Sequence, residues 1–161
     1  MEFERGKIQD VEVKALRKFV DERGWLTEIF RHDELNEEFY PAMSYVSLSR
    51  PGVTRGPHEH VDQADLFVFI GPSNFKLVLW DNRKESPTYR NKMAMVVGED
   101  APTSVLVPKG VVHGYRNVGG KDGVVINCPN RLFMGENKKE EIDELRHEID
   151  PDSPFLMDGK P

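Results

Sequence analysis

Three histidines and one carboxylate carry the chemistry that this chain can offer. His58 and His60 sit two residues apart, Asp65 follows at the fifth position after His60, and His113 comes later in Pro108-Lys109-Gly110-Val111-Val112-His113. On a strand, positions i and i+2 face one side, so the His58 and His60 rings are expected to point the same way. Imidazole and carboxylate suit borderline divalent ions. That makes His58, His60, Asp65 and His113 a candidate ligand set for Zn, Fe, Mn or Ni, with positions left open for substrate. Such an ion would polarise a substrate carbonyl as a Lewis acid. The plainer alternative is a metal-free site in which His58 is a general base and His60 only a polar wall. A ligand's lone pair cannot also take a proton, so the two roles compete at His58.

Short strands are the elements that must hold these side chains in register. Tyr45–Ser49 and residues 65–70, 75–80, 93–97, 104–107, 113–118 and 124–128 read as strands. Gly71-Pro72-Ser73-Asn74, Gly98-Glu99-Asp100 and Gly119-Gly120-Lys121-Asp122-Gly123 punctuate them as turns. Upstream, residues 8–13 and 15–20 are expected to be extended, with Val11, Val13 and Ala15 alternating as on a half-buried strand. Asp21-Glu22-Arg23-Gly24 is a charged turn, and residues 25–31 form another strand. Residues 33–39 suit one or two helical turns capped by Asp33. Trp25, Trp80, Phe67, Phe69 and Phe75 are expected in the core. In the tail, residues 136–148, Ile142 and Leu145, with Ile149 just beyond, fall at helical spacing, which predicts a short surface helix or a loosely packed tail with a solvated charged face. Many short strands at this spacing point to an all-β antiparallel sandwich or barrel.

Composition narrows the partners. The chain has 161 residues, enough for one domain with a full core, and a net charge of −6 with its basic residues scattered. Nucleic acid or an anionic membrane would favour a basic face, so neither is expected as a partner. A single cysteine, Cys128, excludes an internal disulfide and suits a reducing compartment. With no apolar leader and no stretch of membrane-spanning length, the expectation is a soluble, cytoplasmic protein.

The stretch from Arg55 to Gly71 and the stretch from Pro108 to Asn117 together resemble the two halves of the cupin signature, HxH(x)4[E/D](x)5G and PxGxxHxxxN. The resemblance narrows further. Asp21-Glu22-Arg23-Gly24-Trp25-Leu26-Thr27-Glu28, Ser47-Leu48-Ser49-Arg50-Pro51-Gly52-Val53-Thr54-Arg55-Gly56-Pro57-His58, Arg83-Lys84-Glu85-Ser86-Pro87-Thr88-Tyr89 and Pro108-Lys109-Gly110-Val111-Val112-His113-Gly114-Tyr115 are similar, in order, to four motifs of the dTDP-4-dehydrorhamnose 3,5-epimerase family. The resemblance implies a single cupin domain over residues 1–161 with its core at about 20–130. It implies a jelly-roll β-barrel with a short helical C-terminal tail, usually a homodimer. It also implies an isomerase that needs no cofactor and removes a proton beside a keto group in a nucleotide-activated sugar, for dTDP-rhamnose or polysaccharide biosynthesis. By motif position His58 is the base, Arg55 contacts the nucleotide-sugar, Arg23 and Glu28 bind the nucleotide and its diphosphate, and His113 lines the sugar pocket.

The chain departs from the family at four places. The lysine that follows the base histidine corresponds to about Ala64, and the proton-returning tyrosine to Asn127. A glutamine upstream of Ser47 corresponds to Met43, and the aspartate that partners the base has no clear counterpart, Asp158 being a possible substitute. Tyr115 or Tyr89 could supply a phenol from elsewhere. The expected function is a nucleotide-sugar epimerase. The alternatives are a metal-dependent cupin sugar isomerase or epimerase, and a non-catalytic sugar-binding cupin.

Overall fold

A computed structural model describes residues 2–158. Its strands are β1 Glu4–Arg5, β2 Glu12–Ala15, β3 Lys18–Asp21, β4 Gly24–Thr27, β5 Tyr45–Ser49, β6 Thr54–Glu59, β7 Asp65–Phe69, β8 Asn74–Asp81, β9 Asn91–Gly98, β10 Thr103–Val107, β11 Val111–Asn117, β12 Gly123–Asn127 and β13 Leu145–Arg146. Six of them form one sheet in the order β1-β9-β8-β11-β6-β13, and five form a second in the order β2-β10-β7-β12-β5. Every pairing but β1 with β9 is antiparallel. The result is the cupin-type barrel expected from the motifs.

Strand alternation explains how the layers meet. On β8, Phe75, Leu77 and Leu79 join Phe67, Phe69, Val105 and Val125 between the sheets. The intervening Val78 and Trp80 face outward, where they pack with Val112, Phe155 and Met157. On the other sheet Leu66, Leu106 and Cys128 are covered by Ile29, Phe30, Leu35 and Phe39. The central strands β7 and β10 are thus covered on both faces and buried at every position, whereas the edges of their sheet stay open to solvent. Each fully buried Leu or Phe contributes about 1.5–3 kcal/mol relative to exposure. Ile8, Phe155 and Met157 carry the buried set beyond the expected 20–130 span.

Several local expectations are corrected. Trp25 is 49 % exposed, on a β3–β4 hairpin that pairs with neither large sheet, and Lys18 Nζ lies 4.5 Å above its ring. Edge strand β2 is exposed along its length, so the alternation of Val13 and Ala15 marks no buried face. Residues 33–39 hold two 3-10 turns, His32–Glu34 and Glu37–Phe39, neither with a side-chain cap. The helical content of the tail amounts to the 3-10 turns Glu136–Lys138 and His147–Ile149, separated by β13. Backbone pairing to β6 wins over the helical period there, because Ile142, Leu145 and Ile149 have no apolar surface to pack on.

Candidate active site

Strands β6 and β11 bring two of the three histidines together. His58 lies directly opposite His113 in the register, and their ring centroids are 4.5 Å apart. The close approach depends on Gly56. Its φ is +76°, and a Cβ there would stand 2.6 Å from the His113 carbonyl oxygen, so no side chain fits without moving the strands. His60 follows the end of β6, its ring centroid 5.7 Å from each of the other two.

Asp65 reaches the cluster from the opposite sheet. Its carboxylate is buried, with Oδ2 3.1 Å from His60 Nε2 and 3.3 Å from His113 Nε2. Oδ1 accepts from Gln63 Nε2 at 2.9 Å and from Asn127 Nδ2 at 2.7 Å. A carboxylate buried among so many donors stays ionised: burial works against its charge, but the His113 and His60 hydrogen bonds outweigh that and hold it well below the usual range.

The tail supplies the rest of the frame. The Asp143 carboxylate accepts from the backbone N–H groups of Val61, Asp62 and Gln63 at 2.8, 2.9 and 2.8 Å, while its carbonyl oxygen contacts His60 Nδ1. Glu144 Oε1 stands 3.5 Å from His58 Nδ1 and Oε2 pairs with Arg146 Nε at 2.7 Å. His60 therefore faces an acceptor at each nitrogen. Burial alone would push its imidazole down, but Asp65 and the Asp143 carbonyl more than compensate and raise it to about 9. His58 goes the other way. Burial, with the neighbouring His113 and His60 rings acting in the same direction, lowers it to about 2, so the free ring is neutral.

These groups border a cavity of about 1160 Å³, lined by His58, His60, Gln63, Arg55, Tyr45 and Tyr115, with Arg131, Lys138 and Arg146 adding positive charge. That is ample for a sugar nucleotide. Arg55 is held by hydrogen bonds to Ser49 Oγ at 3.0 Å and the Leu48 carbonyl at 2.8 Å. His113 is buried one layer behind His58 and His60 rather than on the wall. Neither Arg23 nor Glu28 lines this cavity. Arg23, its side chain 84 % exposed in the β3–β4 turn, pairs with Asp21 at 2.6 Å, and Glu28 lies 3.6 Å from Arg31. Asp158 is engaged by Lys76 and Arg116, which removes it as a partner for His58. Sequence reasoning missed Asp143, Glu144 and Gln63. The first two sit in a mixed charge run that looks solvated, and only its pairing with β6 reveals them.

One nitrogen from each of His58, His60 and His113 lies within 4.8 Å of the others, which is the geometry of a possible ion site. The hydrogen bonds speak against that use. His60 spends Nε2 on Asp65 and Nδ1 on Asp143, and His113 spends Nδ1 on the Val111 carbonyl at 3.0 Å with Nε2 turned to Asp65. Asp65, the fourth candidate ligand, is fully engaged behind the rings. Among the described residues His113 Nε2 has no hydrogen-bond partner, but a cation would have to displace the proton that His60 shares with Asp65, so the four residues together do not fit a resident metal.

Comparison with known proteins agrees with this frame. Residues 5–149 match the sequence profile of the family described as dTDP-4-dehydrorhamnose 3,5-epimerase. A probable low-salt glycan biosynthesis epimerase of Haloferax volcanii is 36% identical over 135 residues, covering 83% of this chain and 86% of that one. A spore coat polysaccharide biosynthesis protein of Bacillus subtilis is 41% identical over 112 residues, covering 70% and 73%. Among solved structures, the dTDP-4-dehydrorhamnose 3,5-epimerase of Bacillus anthracis, crystallised with TDP and PPi bound, superposes with a TM-score of 0.69 at 24% identity, covering 79% of this chain and 78% of that one. With the motifs in order, the barrel in place and the profile spanning most of its length, the chain belongs to the dTDP-4-dehydrorhamnose 3,5-epimerase family, a family of sugar epimerases of the isomerase class.

Proposed function

We propose that this protein is a metal-independent epimerase of a nucleotide-activated keto-sugar, acting in the cytoplasm in glycan or polysaccharide synthesis. The observation that carries the reading is His58: a neutral imidazole on the cavity wall, with a hydrogen-bonded imidazolium–carboxylate pair beside it. His58 takes the proton from the carbon beside the ketone, and an enolate forms. Its negative charge, together with the Glu144 carboxylate at His58 Nδ1, stabilises the imidazolium that results. His60, kept charged by Asp65, supplies the positive charge near the enolate that the missing lysine would give. Arg55, Arg131, Lys138 and Arg146 suit the diphosphate.

The test is solvent exchange. Incubation with dTDP-4-keto-6-deoxy-D-glucose in D₂O, followed by NMR at C3 and C5, is expected to give deuterium uptake that a chelator does not reduce. Chelator-sensitive uptake would move the weight to a metal-dependent cupin. Tight binding of the nucleotide-sugar with no uptake would favour a non-catalytic module.

The roles of His60 and Asp65 set a pH dependence. The charge on His60 is lost as pH rises through about 9, so kcat/KM is expected to fall across that limb. A raised folded-state pKa also stabilises the fold fully below about 6.5, and this contribution is lost as pH climbs through about 9. His60→Gln should remove both effects, as read from a pH–rate profile and from urea melts across the same range.

We assign a homodimer, supported by the β3–β4 hairpin. A two-stranded hairpin is marginal alone, yet this one exposes Phe19, Val20, Trp25 and Leu26, and edge strand β5 exposes Val46 and Leu48. Arg23 and Glu28 ride on that arm, away from their own cavity, so their nucleotide contacts would be made in the partner's site. The expected result is complementation. Arg23→Ala and His58→Ala are each weak alone. Mixed after co-refolding they recover about a quarter of wild-type activity, because roughly half the dimers then hold one intact site. Recovery of nothing would place both residues in one chain's site.

A further inference from the structure

Inversion at carbon needs an acid as well as a base, and the acid must approach from the other face of the ring. Of the four tyrosines in the chain, Tyr45 and Tyr115 line the cavity among the described residues. Tyr115 belongs to the core: it is 4 % exposed, its ring packs against Phe67, Phe69 and Phe75, and its hydroxyl lies 3.0 Å from Ser47 Oγ. Tyr45 is 44 % exposed. It lies on β5, on the same inward side as Ser47 and Ser49, whereas Val46 and Leu48 point away.

The partner of Tyr45 fixes which way its proton points. Asn127 stands directly opposite it in the β12–β5 register, fully buried. Its Nδ2 donates to Asp65 Oδ1 at 2.7 Å and to the Tyr45 hydroxyl oxygen at 2.9 Å. An ionised carboxylate only accepts, so Asp65 forces the amide nitrogen inward. The reversed amide would set two oxygens against each other. Asn127 Oδ1 goes without a partner as the cost of that orientation. With its oxygen already accepting from Asn127, Tyr45 has its own O–H left to donate into the cavity. His58 comes from the six-stranded sheet and Tyr45 from the five-stranded one, so a sugar ring between them meets one group on each side.

We propose that Tyr45 is the catalytic acid: it delivers its phenolic proton to the enolate carbon on the face opposite His58, from the strand adjacent to the one that carries Asn127. The inference rests on the epimerase reading above. The C–H bond breaks toward His58, a new C–H bond forms from Tyr45, and the phenolate and imidazolium are reset by exchange with solvent water. Burial, only partly offset by Asn127, pushes the phenol up to about 12, so it carries its proton at neutral pH.

The test separates exchange from inversion. Wild type, Tyr45→Phe and Tyr115→Phe are incubated with dTDP-4-keto-6-deoxy-D-glucose in D₂O, and NMR reads deuterium content and configuration at C3 and C5. Tyr45→Phe is expected to lower inversion by about 10²–10⁴-fold while His58 still exchanges the proton with retention of configuration. Tyr115→Phe is expected to keep the wild-type ratio of inversion to exchange. Tyr45→Phe with an unchanged ratio overturns the proposal, whether both rates persist or both fall together. So does a loss of inversion confined to Tyr115→Phe. No exchange by wild type with dTDP-, UDP-, GDP- or CDP-linked 4-keto sugars overturns the epimerase reading, and this one with it.

Discussion

Replacing His58 with alanine lowers turnover by about 10²–10⁴-fold and abolishes deuterium uptake into the sugar, the range expected for loss of a positioned general base. The KM should change little, because on the proposed reading the substrate's charged groups are bound by Arg55 and the other basic side chains that line the cavity, which alanine at 58 leaves in place. A second readout comes from the fold itself. His58 is neutral when folded and charged when unfolded below about pH 6.5, since burial lowers its folded-state value to about 2. The unfolded chain therefore binds the extra proton, and wild-type stability falls as pH drops from about 6.5 toward 2. His58→Ala removes that penalty, so its urea midpoint should fall less between pH 7 and pH 5 than that of wild type. Full exchange activity in the variant would remove His58 from the mechanism. An acid response equal to that of wild type would mean the ring is solvated rather than buried.

Much of this arrangement is legible in the sequence because strand registers are local. Runs such as Phe75-Lys76-Leu77-Val78-Leu79-Trp80 are too apolar to be anything but a strand covered on both sides, and the structure divides them between two cores at alternate positions. The spacing of His58, His60 and Asp65 likewise foretells the cluster, since one strand and the next can bring them together in only a few ways. Contacts made across the chain are another matter. Nothing in residues 136–148 marks Asp143 and Glu144 as clamps for the histidine loop, because charge runs look alike whether they cap backbone N–H groups or face water. Trp25 misleads for a related reason. Its strand has a core-like composition, but the hairpin pairs only with itself and leaves the ring half exposed. Asn127, read alone, is a lost tyrosine. Set opposite Tyr45 in the register, it places a phenol on the next strand.

Asp65→Asn is expected to cost about 3–5 kcal/mol of stability, the range for breaking a buried ionic set by removing one member. The carboxylate accepts four contacts, from His60, His113, Gln63 and Asn127, with its side chain almost wholly buried. An asparagine offers one acceptor oxygen in place of two and turns its amide nitrogen toward one of these donors. His60 then loses the charge that keeps it protonated, and either the imidazolium is stranded or it gives up its proton at the expense of its hydrogen bonds. Urea melts at pH 7 should show a lower midpoint with an unchanged slope, which assigns the loss to the folded state. The double variant Asp65→Asn/His60→Gln carries the decisive comparison. If the two residues form one unit, it should be far less destabilised than the sum of the singles, since neither charge is then left unpaired. Strict additivity would mean that His60 is neutral in the fold, and the alkaline limb of the rate profile would need another source. The same pair thus links the two sheets of the barrel and, in the proposed mechanism, holds the charge that faces the enolate, so a change at Asp65 is expected to reach both.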